Sequence, residues 1–234
     1  ALADTSFTLT ILKKIVTNTA GPTRQSFSVD QYDQDIDLSE LFLGCRVTGV
    51  RLSFRPGAFV QAQFTMVGLD RTQLATGTSP HFISPTVTTG LGLVADDSAI
   101  FYNGAAVANF TGFDLDLQIT ASGEPVIGAL VSPDVYDNDL AVSGSITGIR
   151  QDFSNLTLFD AETEFAVGIL LQEPGTAPVG SMSFWMPKVK INELSAPVGG
   201  GDGAKIETLA LEVGVPTATS SLDATIVNIC SSGA

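Results

Sequence analysis

The sequence predicts a mainly antiparallel β fold with a short helix on its flank. Three observations lead there. Apolar and polar residues alternate with a period of two in run after run, the pattern of strands with one buried face. Pro56-Gly57 sits between two such runs and suits the middle of a type II turn, because Pro presets φ and Gly accepts positive φ. Only 15% of the 234 residues are charged, against ~25% in an ordinary solvated globule. Gly, Ser, Thr, Gln and Asn take their place.

The elements follow in chain order. Phe7-Thr-Leu-Thr-Ile11 alternates and reads as a strand. Ser39 to Leu43 has room for one helical turn. Val50-Arg-Leu-Ser-Phe54, the Pro-Gly turn and Val60-Gln-Ala-Gln-Phe-Thr-Met66 read as a hairpin. Thr72 to Gly92, rich in Thr, Ser, Gly and Pro, reads as a long loop. Phe113 to Ile119 alternates strictly, and Leu140 to Gly148 follows as a further β run. Asp152 to Glu162 is the helix, with Leu156, Phe159 and Thr163 at helical spacing and Ser154 as N-cap. Phe165 to Leu171 is mostly apolar, so both its faces are expected to be covered. Met182 to Met186 stops at Pro187, and Val189-Lys-Ile191 continues past it. Pro197 to Gly203 reads as a flexible connection. Ile206 to Val213 and Thr225 to Ile229 close the set.

The strands also echo one another. Phe7-x-Leu-x-Ile11 corresponds to Phe165-x-Val-x-Ile169, Val50-x-Leu-x-Phe54 to Leu209-x-Leu-x-Val213, and Val60-x-Ala-x-Phe64 to Leu222-x-Ala-x-Ile226. The order is constant and the offset nearly so, as in a duplicated β unit. The expected division is 1–112 and 113–234. The run that precedes Phe165 has no counterpart before Ala1, so the first unit is expected to lack its N-terminal part.

Composition excludes several functions. With 25 acidic and 11 basic residues the formal charge is −14, and no basic stripe offers itself to phosphates. No apolar run is long enough for a membrane-spanning helix, and Ala1-Leu-Ala-Asp-Thr5 lacks the charged start and apolar core expected of a signal peptide. Two distant cysteines, Cys45 and Cys230, make no disulfide framework and fit a reducing compartment. His81 is the sole imidazole and lies in a loop without a nucleophile elbow, so an exposed loop histidine is the preferred reading over a triad. Three scattered His and Cys residues give no zinc spacing, and no phosphate-binding glycine loop occurs. Asp30-x-x-Asp33-x-Asp35-x-Asp37-x-x-Glu40 is dense enough for calcium but lacks the EF-hand spacing and its glycine. Asp134-Val-Tyr-Asp137-Asn-Asp139 is similar, and each reads as a solvated acidic loop. A glycosidase carboxylate pair would want more aromatic platforms than one Trp and three Tyr. Asn109-Phe-Thr111 and Asn155-Leu-Thr157 match the glycosylation pattern by chance. No cofactor is expected.

The positive charges gather near the hairpin, at Arg46, Arg51, Arg55 and Arg71. Arg51 and Arg55 share one strand face. Five acids without a base lie just upstream, between Asp30 and Glu40. Two readings stand: ordinary intramolecular surface pairs, or complementary faces of a head-to-tail assembly. In the second, Arg46, Arg51 and Arg55 meet Asp33, Asp35 and Asp37 across a subunit interface.

The ordered set of these segments resembles the tail tube protein (major tail protein) of long-tailed bacteriophages with non-contractile tails. Leu43-Gly-Cys-Arg-Val-Thr-Gly-Val-Arg-Leu-Ser-Phe-Arg-Pro-Gly57, running on to Met66-Val-Gly68, looks like that family's strand, Pro-Gly and strand segment. Ala141-Val-Ser-Gly-Ser-Ile-Thr-Gly148 looks like its "V-x-G-x-I-T" strand. The helix around Asn155 to Asp160, the strand from Phe165, and Met182-Ser-Phe-Trp-Met-Pro-Lys-Val-Lys190 follow in the same order.

The resemblance implies a tail-tube-type β-sandwich or barrel and a structural virion protein, not an enzyme. Subunits would form trimeric or hexameric rings stacked head-to-tail into a tube. Other tail proteins would sit at the tube ends, and DNA would pass through the lumen without specific binding. Location would be the virion, after synthesis in the host cytoplasm, with no membrane. Val47 to Val67 and its echo Leu209 to Val227 are the expected barrel strands. Gln61, Gln63 and Thr65 would point to one face, and Glu207 and Glu212 would lie on the echo strand. A polar or acidic lumen is expected, since cations would hold phosphates. The alternatives are a tail terminator, a capsid decoration protein, an acidic carbohydrate-binding or adhesin module and, least favoured, a carboxylate hydrolase.

Overall fold

The computed structural model describes residues 10–16, 26–75, 77–84, 92–124, 126–128, 133–174, 180–197, 203–214 and 226–231. In chain order the elements are β1 (Thr10–Val16), β2 (Phe27–Asp33), β3 (Leu38–Phe54), β4 (Gln61–Val67), β5 (Asp70–Leu74), β6 (Val94–Tyr102), β7 (Ala105–Val107), β8 (Phe110–Gly123), β9 (Val135–Ile149), α1 (Ser154–Asp160), β10 (Phe165–Gln172), β11 (Ser181–Ser195), β12 (Ile206–Val213) and β13 (Ile226–Ser231). The fold is mainly antiparallel β with one short helix among the described residues, as the period-two pattern predicts. No helix among them is long and apolar enough to cross a membrane.

The main sheet runs β2-β3-β8-β9-β12-β11-β10-β6-β7. It rolls back on itself. The start of β4 meets the start of β6 through a bridge between Phe59 and Val94 and a bond from Val60 N to Leu93 O at 2.9 Å. Inside the roll, Leu52, Phe113, Leu115, Ile146 and Leu209 share one cluster with Phe165, Val167, Ile169, Phe184 and Met186. Phe113 is 1% exposed and tilts against Phe54 with ring centroids 5.6 Å apart. Each such side chain contributes on the order of 2–3 kcal/mol by leaving water.

β3 is the longest strand, 17 residues, and it serves two partner sets. Its first half pairs β2 and β5; its second half pairs β4 and β8. The change falls at Gly44, which has φ of 63°, a conformation glycine adopts without strain. There β4 ends and β5 begins, and Leu69 N bonds Leu43 O at 3.0 Å. The predicted hairpin is β3–β4. Gly57 has φ of 72° and Ala58 N bonds Arg55 O at 3.3 Å, which is the expected turn.

Several local expectations are corrected. Ser39 to Leu43 is strand, not helix, because its residues pair on both sides. The Asp30 to Glu40 segment is no loop but the β2–β3 hairpin with its turn at 34–37. The Asp134 stretch enters β9 at Val135, and the long loop begins only after β5. Ser154 is not the cap of α1. Phe153 is the N-cap and gives no side-chain cap bond; Ser154 opens the helix, and Asp152 Oδ1 accepts from its N at 2.8 Å and its Oγ at 2.6 Å. Pro187 does not end its strand: β11 runs through it, and the register with β10 shifts beside it between Phe165 and Val167. Proline lacks a donor, and such a bulge removes the need for one.

The echo segments have different neighbours. β3 and β4 pair with each other, while β12 lies between β9 and β11 and β13 pairs β1 and β11. Residue 112 lies inside β8. Phe7 to Leu9 and Leu222 to Thr225 fall outside the described residues, as do residues 198–202 of the Pro197 to Gly203 connection.

Candidate functional site

Strand alternation sorts β3, β4, β8, β9 and β12 into two faces. The inner face carries Leu52, Phe113, Leu115, Ile146, Leu209 and Leu211 into the core. The opposite face is polar from strand to strand. One cross-strand row reads Gln63, Arg51, Asp116, Ser143, Glu212 and Lys190. The next reads Gln61, Ser53, Asp114, Ser145 and Ala210, and a third reads Thr65, Gly49, Gln118 and Ala141. Register alone brings these residues together, since directly opposed side chains in a sheet lie about 4.5–5.5 Å apart at Cβ.

At one margin of this face is a groove of about 660 Å³, lined by Arg51, Ser53, Arg55, Gln61, Ala62, Gln63 and Asp114. Asp114 is its hub. Its carboxylate accepts from Arg55 Nη2 and from Ser53 Oγ, each at 2.7 Å. Arg55 Nη1 also donates to Phe54 O at 2.8 Å. Burial would push the Asp114 carboxyl upward, but the bonds from Arg55 and Ser53 and the charges of Arg55 and Arg51 outweigh it and hold the group below the ordinary carboxylate range. Arg51 faces Asp116 in register and is exposed.

The remaining predicted residues go elsewhere. Arg46 turns into the chain: Nη2 meets Asp134 Oδ1 at 2.6 Å, and Nη1 donates to Val135 O. Asp33 and Asp35 are exposed at the β2–β3 tip. Asp37 adopts φ of 51° there and accepts from Tyr32 OH at 3.0 Å. That bond, with slight burial and the nearby negative charge, raises the Tyr32 pKa. The acidic tip and the Arg51–Arg55 groove therefore sit at opposite ends of β3, a distance on the order of 50 Å along a straight strand. His81 is an exposed loop residue whose backbone N–H bonds Asp30 Oδ2 at 2.8 Å.

Glu207 and Glu212 part company. Glu212 stands on the polar face. Glu207 is 4% exposed on the covered face and accepts from Asn155 Nδ2 at 2.5 Å. Tyr102 OH donates to Asn155 Oδ1 at 3.0 Å, and Arg150 Nε lies 3.9 Å from Glu207 Oε2. Burial and then the Glu207 charge push the Tyr102 pKa far up. This network ties α1 to β6 and β12. It also consumes both amide atoms of Asn155. The parity of Glu207 with Leu209 and Leu211 was the available signal. Its partners Tyr102 and Asn155 carried none, because they come from distant strands and turns.

β4 forms the free margin of the polar face. Beyond the bridge at its start, β3 is its only sheet partner among the described residues. Residues 61–66 are exposed on both faces, with Phe64 and Met66 uncovered opposite Gln63 and Thr65. Such a strand offers unpaired backbone groups as a template for another strand.

The charge on the polar face is nearly balanced. Arg51, Arg55 and Lys190 stand against Asp114, Asp116, Glu193 and Glu212, with Lys190 Nζ donating to Glu162 Oε2 at 2.7 Å. Among the described residues no three His, Cys, Asp or Glu side chains gather as metal ligands. The face offers a broad polar surface for contact. The family described as phage tail tube protein matches residues 2–222. The chain belongs to the phage tail tube protein family. It is a structural, tail-related protein of the virion. A chain in the cryo-EM structure of the anti-feeding prophage baseplate, six-fold symmetrised, is also similar, with 14% identity and a TM-score of 0.33 over 57% of this tail tube chain and 95% of that one. No curated protein matches.

Proposed function

We propose that this chain assembles with itself into rings that stack into the tube of a non-contractile tail, and that DNA passes through the lumen during ejection. The observation that carries the reading is the unbroken polar face from β4 to β12 bordered by the free edge of β4. A strand of a neighbouring copy on that edge would extend the sheet and cover Phe64 and Met66. Repetition around a ring would pair the β4 edge of every copy.

In this reading the polar face lines the lumen. Gln, Ser and Thr alternate with charged residues across it, and Arg55 is tied to Asp114. A wall whose cations are matched by acids gives phosphates few counterion-releasing contacts, so DNA slides without being held. The net charge of −14 keeps the whole tube repulsive toward DNA. The chain then works as a conduit and not as an enzyme, and its partners are its own copies and the proteins that cap the tube.

Negative-stain microscopy of the purified protein tests this. Rings or tubes with a hollow centre are expected. A protein that stays monomeric at high concentration overturns the reading. Hydrogen exchange of the β4 amides supplies the residue-level check: they should become protected on assembly.

A further inference from the structure

Two exposed surfaces lie at opposite ends of the long sheet, and they complement each other twice over. At one end is the β2–β3 tip. Ile36 is 60% exposed there, between Asp35 and Asp37, and residues 26–40 contain no Lys or Arg. The other end is reached by following β9, which runs parallel to β3 because each is antiparallel to β8. β9 finishes at Ile149, paired with Ile206 at the start of β12. Both are exposed apolar residues, and so is Phe153 at 66%. Two cations stand with them. The Arg150 guanidinium lies 4.5 Å from the Phe153 ring centroid, and Lys205 is exposed beside Ile206. Arg150 uses Nε toward Asp152 O and Glu207, while no hydrogen bond from its two terminal nitrogens is formed among the described residues.

We propose that the tip of one copy docks on this far end of a second copy, with Ile36 against Ile149, Ile206 and Phe153, and with Asp35 and Asp37 facing Arg150 and Lys205. The occupant is a second copy for a geometric reason. A chain cannot bring its own tip to its own far end across the length of β3. A copy displaced along the strand direction and sideways by three strand spacings, about 14 Å, presents its tip there. An apolar residue flanked by acids meets an apolar pair flanked by cations, so both burial and charge favour the contact. Because the two surfaces differ, the contact is heterologous, and because each copy is displaced along the strands from the last, it repeats without closing. The inference rests on the tube reading and names the contact that would stack one ring on the next.

The test joins a cysteine pair with a charge swap, in a Cys230→Ser background. Ile36→Cys with Ile206→Cys should give a ladder of covalent oligomers under mild oxidation, and neither single substitution should give one. Asp35→Lys with Asp37→Lys should raise the protein concentration needed for tubes at least about tenfold. Adding Arg150→Glu and Lys205→Glu to the same chain should restore them. Normal tubes from the tip variant, together with no ladder, overturn the docking while leaving the tube reading intact. Absence of rings and tubes from the unmodified protein sinks the tube reading instead. The cysteine pair then decides the docking alone, a ladder supporting it and no ladder overturning it. It decides likewise where a charge variant does not fold.

Discussion

The rolled body and the wing formed by β2, the first half of β3, β4 and β5 are made of the same alternating strands, yet they are covered differently. In β10 five of the eight residues are buried, and a single cluster links it to β3, β6, β8, β9, β11 and β12. In β4 no residue is buried, and β2 and β5 are mostly exposed. The body satisfies its own apolar residues. The wing leaves Phe27, Ile36, Phe64 and Met66 in water. Monomers rarely leave large apolar areas open without a use for them. One half of the architecture carries the fold, and the other half presents surface.

Substitutions should separate these roles. The largest effect is expected for Phe113→Ala, which empties the centre of the body and should cost ~3–5 kcal/mol in urea unfolding. A loss near zero would mean that the body is not the stabilising half. Next comes Asn155→Ala. It strips the Tyr102 hydroxyl and Glu207 of a shared partner in a buried place, and thermal unfolding should show a loss of ~1–3 kcal/mol.

A smaller, pH-dependent effect belongs to the polar face. The folded Asp114 carboxyl titrates below its ordinary value. Its contribution is therefore present above the unfolded pKa, near 3.8, and is lost as pH falls through the folded value. Asp114→Asn should be less stable than the unmodified protein at neutral pH, and the two should converge in strong acid. Equal curves throughout would remove the Arg55–Asp114 pair from the account. The smallest stability change is expected for Phe64→Ser in the wing, within ~0.5 kcal/mol, although the same variant should fail to assemble. A large loss of monomer stability there would erase the distinction between the two regions.

Much of this was legible in residue patterns. The Pro56-Gly57 hairpin, the covered strand from Phe165 and the strict alternation from Phe113 follow from local periodicity, and the structure reproduces them. The polar face was half legible. Gln61, Gln63 and Thr65 share a parity, and so do Arg51 and Arg55, but nothing local says that both sets share one face with Asp114 and Glu212. β6 was missed because Asp96 and Asp97 interrupt its apolar pattern. β2 was missed because its acids look like a loop until β3 pairs with them. Arg46 looked like its neighbours Arg51 and Arg55, yet it contacts Asp134, far along the chain.

The sequence by itself determined that the chain is β, where its chief turn lies and which residues shun water, because alternation and glycine placement act over a few residues. Only the tertiary structure decided which strands are neighbours, that β4 is left with a free edge, and that the acids and the arginines stand at opposite ends of β3. Those outcomes depend on pairing between residues far apart in the chain. Every alternating strand has the same local pattern, so the choice among partners is made by the packing of the core they share.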